Sequence, residues 1–164
     1  MAAAFGIEKA GRLSGTVAVP GDKSLSHRSI MLAGLADTPV EVQNFLAAED
    51  CLSTVSCMRA LGVSVEFDPD GKVLVKGKGL YGLNEPDDVL DAGNSGTTIR
   101  LLSGLLAGQS FFTVLTGDDS LRRRPMARII TPFSQMGARL MGREKSRYAP
   151  IAIEGTGSLQ GIEY

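Results

Sequence analysis

The sequence has no tryptophan, one histidine, two cysteines and only nine Phe and Tyr residues in 164. So few aromatics leave no stacking platform for nucleic-acid bases, and no nucleic-acid partner is expected. Two cysteines cannot make a disulfide framework. Cys51 and Cys57 fall six apart in a helical pattern, about 9 Å along the axis, which is too far to bridge. Free thiols suit a reducing compartment, so a cytoplasmic protein is expected. No apolar run approaches the roughly 18 residues of a membrane span, and the N-terminus lacks the charged and apolar regions of a secretory signal. No residue cluster has metal-ligand spacing, no Cys–His pair has nucleophile spacing, and no Walker-type lysine loop occurs. Neither a metal nor a cofactor is expected.

Glycine is the residue in excess, at 20 positions, or about 12% against a usual 7% or so. Hydrophobic residues at 43% and charged residues at 21% exclude bulk disorder, and the length suits one domain. A net charge of −1 hides a segregation. Residues 1–121 carry nine basic and 15 acidic side chains, whereas residues 122–147 carry eight basic and one acidic. A basic block on a near-neutral chain points to a small anionic ligand or an acidic surface, or else to a solvated face.

The chain repeats itself. Val17–Ala36 aligns with Val89–Gly108 at an offset of 72, matching Gly21 with Gly93, Asp22 with Asn94 and Arg28 with Arg100. Leu61-Gly62 then matches Met136-Gly137, and Val73–Gly79 matches Ile151–Gly157, so the offset drifts to 75 and 78 as loop insertions would make it. Each copy reads as a strand, a Gly turn, a helix (Ser24–Ala36; Gly96–Ala107), a strand (Val40–Asn44; Phe111–Thr116) and a second helix (Ala48–Leu61; Arg124–Met136). Two closing strands follow (Ser64–Phe67 with Lys72–Lys76; Ala138–Met141 with Pro150–Glu154). The expectation is an α/β (α+β) chain of two β-α-β-α-β-β units, at residues 12–82 and 88–160. Its end at Tyr164, near where a third copy would begin, suggests a fragment.

Two Gly turns can hold anions. Gly21–Arg28 joins a strand to a helix, and a helix N-terminus offers unpaired amides and a positive dipole end. Lys23, Ser24 and Arg28 add two charges and a hydroxyl there, although the same residues can serve as a cap and surface cations. His27 reads as a packing or capping residue. Gly93–Thr98 is the repeat-related turn, in which Gly96 leaves room for a ligand. Arg100 can be a ligand cation or half of an ion pair. Arg122, Arg123 and Arg124 are read as opening the fourth helix, where cations oppose the dipole by about 0.3–1 kcal/mol each unless an anion offsets them.

At these residues the sequence resembles the enolpyruvyl transferase family, within it the 5-enolpyruvylshikimate-3-phosphate synthases. The matching motifs are PGDKSLSHR (Pro20–Arg28), DAGNSGTTIRLL (Asp91–Leu102) and TGDDSLRRRPM (Thr116–Met126). The resemblance implies an inverse α/β barrel of two lobes with three units each, of which this chain (residues 1–164) is a partial N-terminal lobe holding two units. It implies transfer of the enolpyruvyl group of phosphoenolpyruvate to the 5-hydroxyl of shikimate 3-phosphate, with release of phosphate, in aromatic amino-acid biosynthesis. Lys23, Ser24 and Arg28 would contact shikimate 3-phosphate. Lys23, Asn94, Gly96, Thr97 and Arg124 would line the phosphoenolpyruvate site, where the inhibitor glyphosate also binds in the family. Leu101 stands where many members carry Pro.

The same resemblance implies that the acidic catalytic residues and a Ser-x-Gln segment lie outside residues 1–164, so no complete catalytic set is expected here. A complementary C-terminal polypeptide or self-association is expected. The alternatives are a non-catalytic half-site that binds shikimate 3-phosphate or docks onto such a chain, and the UDP-N-acetylglucosamine enolpyruvyl transferase branch. That branch implies Lys-Asn in place of Lys23-Ser24 and a reactive cysteine on a mobile loop.

Overall fold

Helices begin where a short polar side chain can take up the orphan amides of the first turn. In the computed structural model, which describes residues 5, 6, 9 and 11–164, α1 (Lys23–Gly34) starts at Asp22, whose carboxylate accepts from the Leu25 amide at 2.7 Å. Ser95 caps α3 (Gly96–Ala107) in the same way, its hydroxyl accepting from the Thr98 amide at 3.1 Å. Between them α2 (Glu49–Ala60) has no side-chain cap but places Glu49 and Asp50 in its first turn and Arg59 in its last. Those charges complement the helix dipole.

The first three strands, β1 (Val40–Val42), β2 (Ser64–Phe67) and β3 (Val73–Lys76), form an antiparallel sheet in the order β1-β3-β2. The Asp68–Gly71 turn joins β2 to β3, with the Gly71 amide donating to the Asp68 carbonyl at 3.1 Å. A second sheet follows the order β4-β5-β7-β6, from β4 (Leu90–Asp91), β5 (Phe112–Thr116), β6 (Arg139–Gly142) and β7 (Tyr148–Glu154). Here β5-β7-β6 repeats β1-β3-β2, and β4 adds a parallel strand to β5.

The repeat extends to single hydrogen bonds. After β3 the Lys78 amide donates to the Gly34 carbonyl, and after β7 the Thr156 amide donates to Ala107. A Cβ on Gly77 would lie 2.3 Å from the Ala36 carbonyl oxygen, and one on Gly155 would lie 2.1 Å from that of Gln109. Each glycine lets a closing strand leave its sheet against the end of its own unit's first helix. Leu61, Val75 and Ile30 from one copy, and Leu102, Leu115 and Ile151 from the other, are fully buried in a common core.

Two expectations need correction. The strand expected before Gly21 is absent: residues 12–20 have neither helix nor strand, and Leu13, Val17 and Val19 are each at least 70% exposed. Alternating β-branched residues become a strand only beside a partner that completes the ladder, and here nothing pairs with them. The fourth helix starts not at Arg124 but at Ala127, as α4 (Ala127–Gln135). Leu121–Arg123 form a single 3₁₀ turn that ends on an extended Arg124 (φ −79°, ψ 137°). Pro125 disfavours helical geometry in the residue before it, so the helix cannot run through Arg124. Arg122, Arg123 and Arg124 therefore lie outside α4 and do not open it against its dipole. None of the described helices is long and apolar enough to cross a membrane.

Candidate anion-binding site

Lys23 opens α1 and pairs through Nζ with the carboxylate of Asp50 on α2. The Lys side chain remains half exposed. Ser24 is exposed beside it. One turn on, Arg28 donates from Nη1 to the Ser24 carbonyl at 3.1 Å, which folds its guanidinium back toward the start of the helix. The three residues predicted to share one turn do share it, and all three are exposed to solvent.

The second turn mirrors the first. Arg100, which aligns with Arg28, donates from Nη1 to the Gly96 carbonyl, the position aligned with Ser24, at 3.3 Å. Arg124 reaches the same turn from the loop after β5: its Nη2 donates to Asn94 Oδ1 at 2.7 Å. Asn94 Nδ2 in turn donates to Asp118 at 2.6 Å. That carboxylate also accepts from the Leu121 amide at 2.7 Å, so Asp118 fixes both Asn94 and the loop that carries Arg124. These bonds, first the one from Asn94 and then that from Leu121, hold the Asp118 carboxyl below its usual pKa. It stays ionised and orients Asn94 with its oxygen toward Arg124.

Gly96 lies between two guanidiniums. A Cβ there would be 2.6 Å from Arg100 Nη1 and 3.1 Å from Arg124 Nη1. Arg100 has a buried Nε with no partner. Burial first, and then the charges of Arg128 and Arg124, pull its pKa below the ordinary arginine value. Among the described residues, Arg28, Arg100, Arg124 and Arg128 form no ion pair with a carboxylate. Guanidiniums gathered at the amide end of a helix without a direct carboxylate partner are a receptor for an anion. Thr97 is the second residue of α3 and half-buried.

Sequence reasoning left Asp50 and Asp118 without a role, although Asp118 stands in the third quoted motif. Of the two roles open to Arg100, the ion pair does not form among the described residues. Asp50 carries no pattern that singles it out. The cysteines are free and buried in α2. Burial raises both thiols, that of Cys57 to about 12, so neither is a ready nucleophile.

A family model described as EPSP synthase (3-phosphoshikimate 1-carboxyvinyltransferase) matches residues 7–164. The chain belongs to the EPSP synthase family. The 3-phosphoshikimate 1-carboxyvinyltransferase of Alkaliphilus metalliredigens is 55% identical over 156 residues, covering 95% of this chain and 36% of that protein. The protein of the same name from Pelotomaculum thermopropionicum is 54% identical over 158 residues, again across 36% of its length. The solved EPSP synthase of Acinetobacter baumannii superposes with a TM-score of 0.87 at 46% identity, over 92% of this chain and 34% of that one. The chain thus spans about a third of the length of the EPSP synthases it matches.

Proposed function

We propose that the chain forms the anion-holding half of an enolpyruvyl-transfer site, as part of an EPSP synthase. In this reading residues 12–82 and 88–160 are two units of a partial N-terminal lobe. Lys23, Ser24 and Arg28 hold shikimate 3-phosphate. Lys23, Asn94, Gly96, Thr97 and Arg124 hold phosphoenolpyruvate, and glyphosate competes there. The observation that carries the reading is the set of guanidiniums around Gly96 that, among the described residues, no carboxylate pairs with directly. Both substrates are anions, and both turns present cations at a helix N-terminus.

Chemistry needs more than charge. The 5-hydroxyl must lose a proton and the methylene carbon of phosphoenolpyruvate must gain one. Of the carboxylates beside the turns, Asp22 caps α1, Asp91 accepts from the Gly93 amide at 2.8 Å, Asp50 is engaged by Lys23, and Asp118 is held ionised by Asn94. None is arranged to deliver a proton. The proton-transfer groups then come from a complementary C-terminal polypeptide, and the cytoplasm is the compartment in which the two would meet. The UDP-N-acetylglucosamine branch is disfavoured, because Ser24 stands where it requires Asn and both thiols are buried in α2.

The test is phosphate release at saturating shikimate 3-phosphate and phosphoenolpyruvate. The 164-residue chain alone gives no turnover. Mixed with the C-terminal two-thirds of one of the relatives, it gives turnover that Lys23→Ala lowers and Arg139→Ala, at an exposed Arg139–Glu154 pair, does not. Turnover by the chain alone, or equal loss with both variants, contradicts the reading.

A further inference from the structure

Four polar side chains lie fully buried where the first three helices meet: His27 on α1, Thr54 on α2, and Ser95 and Thr98 at the start of α3. They form one chain of contacts. His27 Nδ1 is 2.6 Å from Thr54 Oγ1, which is 2.7 Å from Thr98 Oγ1, which is 2.7 Å from Ser95 Oγ. Its ends are the two turns of the candidate site. His27 lies between Ser24 and Arg28 in α1, and Ser95 and Thr98 flank Gly96 and Thr97.

Each hydroxyl has a single proton, so the chain has a direction. His27 Nε2 is buried without a partner. A stranded lone pair is less unfavourable there than a stranded N–H, which assigns the proton to Nδ1. Nδ1 then donates to Thr54, Thr54 donates to Thr98, and Thr98 donates to Ser95. A protonated imidazole would strand a second N–H, and burial does lower the His27 pKa, against the opposing charge of Asp50 and with those of Lys23 and Arg28. The Thr98 hydroxyl also lies 3.3 Å from the carbonyl of Asp50, but with its one proton given to Ser95 it makes no second hydrogen bond there.

We propose that Thr54 is a positioning residue, its hydroxyl joining His27 to Thr98 so that the two anion-holding turns move as one. A buried apolar contact fixes distance but not register, whereas a directional hydrogen bond fixes both. Occupancy of one turn would then preorganise the other. That consequence rests on the function proposed above, while the mechanical coupling does not.

The coupling is tested without any ligand by a double-mutant cycle in the 164-residue chain. Asp22→Ala removes the cap of α1, and among the described residues Asp22 makes no hydrogen bond or ion pair with α3. Amide exchange at Thr98 and Ile99 is one readout, and the imidazole nitrogen resonances of the sole histidine are the other. In the parent chain Asp22→Ala should speed exchange at Thr98 by about threefold or more and shift the Nδ1 resonance. In Thr54→Val, which keeps the shape and loses the hydroxyl, exchange at Thr98 should not respond, and Thr54→Ser should restore the response. If Thr54→Val fails to fold by circular dichroism, Thr98→Val breaks the next link and carries the same expectation for the His27 and Ile99 signals. Equal transmission with and without the hydroxyl, or none in the parent chain, overturns the proposal. In a separate arm, shikimate 3-phosphate should shift the Gly96–Thr98 amides in the parent chain and Thr54→Ser but not in Thr54→Val. Failure to shift even the Lys23–Arg28 signals would refute the functional reading and leave the mutant cycle to decide the coupling.

Discussion

Gly96 is the residue whose side chain matters most by being absent. A methyl there would press on Arg100 and Arg124. Gly96→Ala should weaken phosphoenolpyruvate binding in a complemented assembly by at least about tenfold, roughly 1.4 kcal/mol, as read by calorimetry. The melting temperature should hold or rise, because Ala is the better helix former. A second expectation concerns His27, whose folded-state pKa lies below the ordinary 6.5. The neutral form is the one the fold keeps, so this contribution is complete above the unfolded pKa and is lost as pH falls through 6.5 toward the folded value. Thermal melts should show stability falling from pH 7 to pH 5 in the parent chain, and less so in His27→Gln. Glu41, Glu66 and Asp118, whose pKa values are also lowered, lose their contributions only below about pH 4.5. At this scale the sequence was informative about charge and silent about burial. Lys23, Arg28, Arg100 and Arg124 stood out by type and spacing. The Thr54 and Thr98 hydroxyls did not, because nothing local distinguishes a buried threonine from a surface one.

Among the elements, α3 carries the second turn, and its cap does two tasks. Ser95 Oγ accepts from the Thr98 amide and contacts the Thr98 hydroxyl. Ser95→Ala should cost about 1 kcal/mol for the lost cap, and a further 1 kcal/mol or more for the buried hydroxyl left poorly satisfied. Asp22→Ala on the exposed α1 cap should cost only about 1 kcal/mol. Denaturant unfolding of the two variants checks the difference, and equal losses would mean that the buried chain adds nothing to capping. Helix and strand positions were legible because the two copies reinforce each other, as Gly77 and Gly155 do at matched bends. The missing strand before Gly21 and the late start of α4 were not. The first depends on a ladder partner that alternation cannot reveal. The second turns on Pro125, which keeps Arg124 before it out of helical geometry.

Taken whole, the described residues leave the β1 edge of the first sheet and several apolar side chains uncovered. β1 lacks the parallel strand that β4 supplies to β5, and α1 exposes Leu25 and Leu32, each at 67%. A groove lined by Leu32, Ala33, Ala36, Val40 and Val42 runs along that edge. Open edges and apolar grooves invite pairing. The 164-residue chain should therefore self-associate at micromolar concentration or bind an exposed-hydrophobe dye, in solution scattering and fluorescence respectively. A monodisperse monomer that binds no dye would show that this surface is tolerated in water.

The central claim is that the Gly21–Arg28 turn binds an anion and is not merely a capped helix start. Calorimetric titration of shikimate 3-phosphate into the complemented two-chain assembly tests it most directly. Lys23→Ala should weaken binding by roughly 1.5–3 kcal/mol, the range for charge-assisted hydrogen bonds. Its melting temperature should barely change, since a half-exposed Lys–Asp pair contributes little to stability. Arg139→Ala should leave binding as it was. Equal and small losses for Lys23→Ala and Arg139→Ala would contradict the account.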